Sequence, residues 1–179
     1  YTIFFKVSLL FKMKQIKIVG KRNIDGLAGK KKKTREKIMN VDQELLNKNQ
    51  IELLNKLFLE ENYNGKDFIK SEVERKLNSY KNQDKKKKRN IDNFITYDDC
   101  LEKLVISKLR CYYCKNLIKL VFNNKRDPKQ WTLDRIDNNI GHNNDNVIIA
   151  DLECNLKRRR QDDKKFLFSK QVKVILVDN

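Results

Sequence analysis

The apolar positions of this chain change period along its length, and each period predicts a different element. From Val41 onward, Leu46, Leu53, Leu54, Leu57 and Phe58 recur at spacings of three and four, which is one helical face turned to a core. Asn62-Tyr63-Asn64-Gly65 carries turn chemistry. A second helix is expected over residues 67–80, with Phe68, Ile69, Val73, Leu77 and Tyr80 inward, so the pair reads as a helical hairpin. Thr96 stands three residues before Asp99, resembling a capping box with Asp in place of Glu. The helix it opens carries Leu101, Leu104, Val105 and Leu109 and should end close to Arg110, with Cys100 a small buried residue. The period then drops to two. Leu133 to Ile136 read as a strand, which sends Asp134 and Arg135 to opposite faces, with Trp131 as a core anchor. Val172, Val174 and Leu176 also alternate, as a strand of the scaffold.

Between these elements lie stretches without a core. Residues 1–12 precede Met13 and read as a short strand or tail, either the start of a fragment or translation upstream of the true start. Residues 20–39 are basic and include Lys30 to Lys33 in a row, a block that repels itself and stays solvated. Residues 81–90 (KNQDKKKKRN) are the best linker. The expected organisation is a basic segment over 1–40, a helical hairpin with its linker over 41–90, and a final domain over 91–179.

Composition narrows the partner. Among 179 residues, 41 Lys and Arg oppose 24 Asp and Glu, a formal charge of +17. A field of that sign draws in polyanions, above all nucleic acid, although the Lys, Asn and Ile usage also fits an AT-rich coding bias. No apolar run approaches the roughly 20 residues needed to cross a bilayer, and no secretory leader is evident, so an intracellular place (cytoplasm or host nucleus) is expected.

The chemistry is concentrated after Arg110. Cys111-Tyr112-Tyr113-Cys114 sets two cysteines two residues apart, and Asp151-Leu152-Glu153-Cys154-Asn155 follows 40 residues later. Without a secretion signal, that spacing points to a metal rather than to disulfides. Zinc takes four tetrahedral ligands: a C-x-x-C knuckle supplies two, and a helix start supplies two more at i and i+3, here Asp151 and Cys154. The alternatives are a decayed site with buried thiols, or His142 as fourth ligand. Tyr112 and Tyr113 should pack over the knuckle.

The stretch 111–160, through CYYC, WTLDRIDNNIGH, DNVIIA and ECNLK, resembles the zinc-stapled branch of the HNH endonucleases. The resemblance implies an α+β fold, with a β-hairpin and a helix around one divalent cation, preceded here by a mostly helical basic region. It implies a DNA endonuclease or nickase on double-stranded DNA, with structural Zn²⁺ and catalytic Mg²⁺ or Mn²⁺. Asp134 and Asn155 would hold the catalytic ion, and Asn146 would tie the loop between the strands.

One position departs from the pattern. The family places a His directly after its metal-binding Asp to activate water; this chain has Arg135, which keeps its proton and is a poor base. Three accounts stay open. His142 reaches the water from the loop; or a metal-bound hydroxide or outside acceptor suffices, with Arg135 on a phosphate; or the fold cleaves weakly or not at all and serves as a DNA-binding module. Arg135 can also simply pair with Asp137, and His142 can be an exposed turn residue. Lys125 and Arg126, before the first strand, and Lys157, Arg158, Arg159 and Arg160, on the last helix and its end, are the further candidates for backbone contact.

Overall fold

A computed structural model describes residues 41–172, and all of them belong to one compact unit. The basic segment expected over residues 1–40 and the strand positions Val174 and Leu176 lie outside the described residues.

Four helices come first: α1 (Gln43–Asn47), α2 (Gln50–Phe58), α3 (Lys66–Lys86) and α4 (Tyr97–Ile106). The single apolar stripe expected from Val41 is broken by competing caps. Asp42 accepts from Glu44 N–H to start α1, and Asn49 accepts from Ile51 N–H at 3.1 Å to start α2. A side-chain acceptor at the N-terminus satisfies donors that a continuous helix would have satisfied itself. Leu45, not Leu46, is then the buried residue of α1, and Phe58 stays 43% exposed. Leu53, Leu54 and Leu57 of α2 share the core with Cys100, Leu101 and Leu104 of α4. The capping box is formed in both directions: Asp99 N–H donates to Thr96 Oγ1, and Thr96 N–H donates to the Asp99 carboxylate.

Helix α3 does not stop near Tyr80. It continues to Lys86, through most of the stretch expected to be a linker, because its inward stripe of Ile69, Val73 and Leu77 is prolonged by a fully buried Asp84. Helix α4 ends earlier than Arg110. Lys108 and Leu109 take positive φ (50° and 49°), turning the chain so that Leu109 enters the core and Arg110 leads into the cysteine knuckle.

The second half holds an antiparallel pair, β1 (Trp131–Arg135) and β2 (Val147–Asp151), in the register Leu133 opposite Ile149 and Asp134 opposite Ile148. Helix α5 (Leu152–Arg158) follows β2 with no intervening loop, and α6 (Asp163–Gln171), a helix not among those expected from the sequence, ends just before Val172. The architecture is α+β. Side-chain ties join the halves. Gln50 Oε1 accepts from the N–H groups of Leu120 and Val121 (2.7 and 3.1 Å), and Leu133 N–H donates to Tyr80 Oη at 3.3 Å.

Candidate functional site: a ligand cluster and two ion-pair hubs

The ligand cluster is built from two short backbone motifs. In the first, Lys115 N–H returns to Cys111 O (3.0 Å) and Cys111 N–H donates to Asn116 O (2.9 Å), closing a tight knuckle that presents both thiols. In the second, Asp151 ends β2 and caps α5, accepting from Cys154 N–H through Oδ1 at 2.5 Å. Its other oxygen, Oδ2, lies 3.0 Å from Cys114 Sγ. One carboxylate thus starts the helix and faces the sulfurs at once. The ligand atoms of Cys111, Cys114, Asp151 and Cys154 all lie within 4.8 Å of one another. Four ligands around one tetrahedral ion with Zn–S near 2.3 Å sit roughly 3.8 Å apart, so the donor set fits such an ion and can hold a metal. Burial pushes the Cys111 thiol up to about 11, and burial next to Cys111 and Asp151 pushes Cys154 up as well. A bound cation would reverse that cost by favouring thiolates. Tyr112 and Tyr113 pack edge to face over the knuckle, with ring centroids 5.3 Å apart, and Tyr112 N–H fixes the knuckle to β2 through Ile149 O (2.9 Å).

The first hub is Asp134, on the face of β1 that α5 covers. Its Oδ2 accepts from Tyr113 Oη (2.7 Å) and Arg158 Nε (2.6 Å), and its Oδ1 accepts from Arg158 Nη2 (2.9 Å). Arg158 is completely buried and also donates to the carbonyls of Gln161 and Arg135. It was a candidate for backbone contact on the helix surface; burial corrects that reading. The spacing held a signal, since Asp151, Cys154 and Arg158 fall at i, i+3 and i+7 on one helical face. Asn155 reaches the same face of the hairpin. Its Nδ2 donates to Thr132 Oγ1 (3.1 Å) and to Leu133 O (3.3 Å).

Asp134 and Asn155 therefore sit against the same side of β1, but a second, hard cation does not fit between them as they stand. Mg²⁺ or Mn²⁺ needs a free carboxylate oxygen, and the guanidinium of Arg158 spans both oxygens of Asp134.

The second hub, Asp84, lies on the opposite side, where strand alternation sends Arg135. Asp84 Oδ2 receives His142 N–H (2.7 Å) and lies 2.7 Å from His142 Nδ1. Its Oδ1 is paired with Arg89 at 3.1 Å and approached by Arg135 Nη1 at 3.7 Å. His142 is 3% exposed, with Tyr80 tilted against its ring at 4.4 Å. It is neither an exposed turn residue nor open to a substrate water, and it is remote from the cysteine cluster in the ligand set. Arg135 donates to the carbonyls of Asn138 and Ile140, and among the described residues its acidic partner is Asp84 rather than Asp137. Asn146 ties the loop as expected, accepting from Asp137 N–H (2.9 Å) and donating to Asp137 O and Gly141 O (3.0 and 2.9 Å). Gly141 must be glycine, since a Cβ there would stand 2.5 Å from Asn90 O.

The Asp84 hub makes stability depend on pH. Burial holds His142 below its ordinary value, outweighing the pull of Asp84. Burial raises the Asp84 carboxyl, but His142 and Arg89 outweigh it and keep it low. A histidine depressed in the folded state leaves the unfolded chain binding the extra proton. Its contribution is complete above the unfolded value, about 6.5, and is lost as pH falls; Asp84 acts in the same sense at lower pH. The melting temperature should drop between pH 7.5 and 5, and His142→Gln should flatten the upper part of that slope. Superimposable slopes for the two proteins would contradict this role.

The remaining cations line two cavities on either side of the end of α5. The larger, about 850 Å³, is lined by Lys76, Lys125, Arg126, Thr132, Lys157 and Arg159, among others. Lys157 is ion-paired with exposed Glu153. Lys76 donates to Trp131 O and lies over the Trp131 and Phe122 rings (4.3 and 4.8 Å), and burial, with Arg75 nearby, pushes its amine down to about 7. The second cavity, about 760 Å³, includes Arg135 and Arg160. No helix among the described residues is long and apolar enough to cross a membrane.

Comparison with protein-family models, with curated proteins and with solved structures gives no match for this chain.

Proposed function

We propose that this chain is a DNA endonuclease or nickase of the HNH type, with a structural zinc at Cys111, Cys114, Asp151 and Cys154. The observation that carries the reading is the β1–β2–α5 unit. A hairpin runs straight into a helix whose first turn supplies two of four clustered ligands, and that clamp brings Asn155 onto the same face of β1 as Asp134. The residues of this chain would act by position. Asp151 and Cys154 set the rotation of α5, Thr132 orients the Asn155 amide, and the cationic cavities hold a polyanion against the end of the helix. Hydrolysis through Asp134 would require it to part from Arg158. Neither His142, enclosed by Asp84 and Tyr80, nor Arg135 is the base; an acceptor from outside the pair is required.

A second reading is favoured by that same ion pair: a zinc-stapled DNA-binding module in which Arg158 holds the position of the lost cation. Nicking of supercoiled plasmid with Mg²⁺ or Mn²⁺ separates the two. Asn155→Ala should abolish nicking while leaving duplex binding close to wild type and lowering the melting temperature only by the loss of two partly buried hydrogen bonds, about 1–3 kcal/mol. Nicking that survives this change would end the assignment, and duplex binding without nicking by the wild-type chain would select the second reading.

A further inference from the structure

Lys87 and Lys88, just past the end of α3, form no ion pair among the described residues and yet wall a cavity beside the hairpin. Lys87, Lys88 and Arg89 line the 760 Å³ cavity together with Arg135 and Arg160, cations from three separate segments. Five cations outnumber the three acids of its lining, Asp137, Asp162 and Asp163. Asp162 caps α6 through Lys165 N–H, and Asp137 accepts from Asn139 N–H. By contrast, Lys87, Lys88 and Arg160 form no ion pair among the described residues, and all three are exposed. The geometry of the α5 terminus joins this cavity to its neighbour. Arg159 takes a positive φ of 54°, so the consecutive Arg159 and Arg160 enter different cavities, and Gln161 lines both. The cations thus line two hollows that share Gln161 at the end of α5.

Resting on the nucleic-acid reading above, we propose that this second cavity is a seat for the sugar–phosphate backbone of DNA, held by Lys87, Lys88 and Arg160 beside Arg135. The basic run after residue 80 is then a binding element delivered by a helix, outside the hairpin-and-helix unit. An extended polyanion matches two adjoining cationic hollows because each phosphate met by a cation releases a condensed counterion.

The test is anisotropy of a labelled duplex against the full chain over a range of salt. Lys87→Gln/Lys88→Gln is compared with Lys85→Gln/Lys86→Gln, which removes the same charge from the same helix but from residues that line neither cavity. Both pairs are exposed, and Gln tolerates the positive φ of Lys88 as well as Lys does. Each lost phosphate contact should lower the salt slope by about 0.9, roughly eight-fold in affinity at 0.1 M salt. The 87/88 variant, which removes two such contacts, should lower the slope by about 1.8 and the affinity roughly 60-fold, and the 85/86 variant should stay within about two-fold of wild type. Equal weakening by both pairs, or by neither, overturns the seat while leaving the nucleic-acid reading intact. A wild-type chain that does not bind the duplex overturns both. Displacement by poly-glutamate as readily as by unlabelled duplex also overturns the seat.

Discussion

Asp134→Ala should destabilise the fold by about 3–5 kcal/mol, because it strands the fully buried Arg158 guanidinium without its counter-charge. Denaturant unfolding measures it. Tyr113 Oη loses its acceptor in the same change, adding an orphaned buried hydroxyl. Replacing both charges, as Asp134→Leu with Arg158→Met, should recover part of the loss, since a buried ion pair is often no better than apolar residues of similar volume. Recovery stays incomplete because the carbonyls of Gln161 and Arg135 lose Arg158 as donor. Singles and double that add independently would show that the contact is not energetically coupled. The same result governs activity work: loss of cleavage in Asp134→Ala follows from unfolding alone, so Asn155 is the sharper probe.

Metal removal is expected to have the larger effect. Two buried thiols, a half-buried one and a buried carboxylate are unfavourable neighbours without a cation, and structural zinc sites of this kind bind with roughly 10–16 kcal/mol, coupled to folding. A strong chelator should therefore unfold the hairpin and α5, and elemental analysis should find close to one zinc per chain. Asp151→Ala removes both a ligand and the cap of α5, whereas Asp151→Asn keeps an oxygen for the cap and weakens only the metal. Asn should accordingly lower zinc affinity while retaining more helix by circular dichroism. A protein that stays folded and metal-free in chelator would remove the staple from the proposal.

What the sequence disclosed was what short spacings encode. The Thr96–Asp99 box, the two cysteines around Tyr112-Tyr113, the Asp151–Cys154 pair and the Asn146 loop tie all depend on residues within a turn or one loop of each other. Their geometry follows from local backbone rules. The two hubs were hidden because their partners lie far away in the chain. Asp84 looks solvated in KNQDKKKKRN, and it is His142 and Arg135, more than 50 residues on, that join nearby Arg89 in enclosing it. Its signal was present, since Asp84 continues the Ile69–Val73–Leu77 stripe at helical spacing, but an acidic residue among lysines reads as surface. Arg158 was hidden by its neighbours in the same way. The helix over Asp163–Gln171 was missed because its one buried residue, Phe166, leaves no apolar periodicity to read.

Asp84 also bears on where this protein can be cut. A fragment beginning at residue 91 would contain every cysteine, the hairpin and the last helices, yet His142 and Arg135 would face a hollow where the carboxylate had been. The smallest autonomous piece must therefore start ahead of α3, and any graft of the hairpin into another scaffold has to import an acid for that histidine.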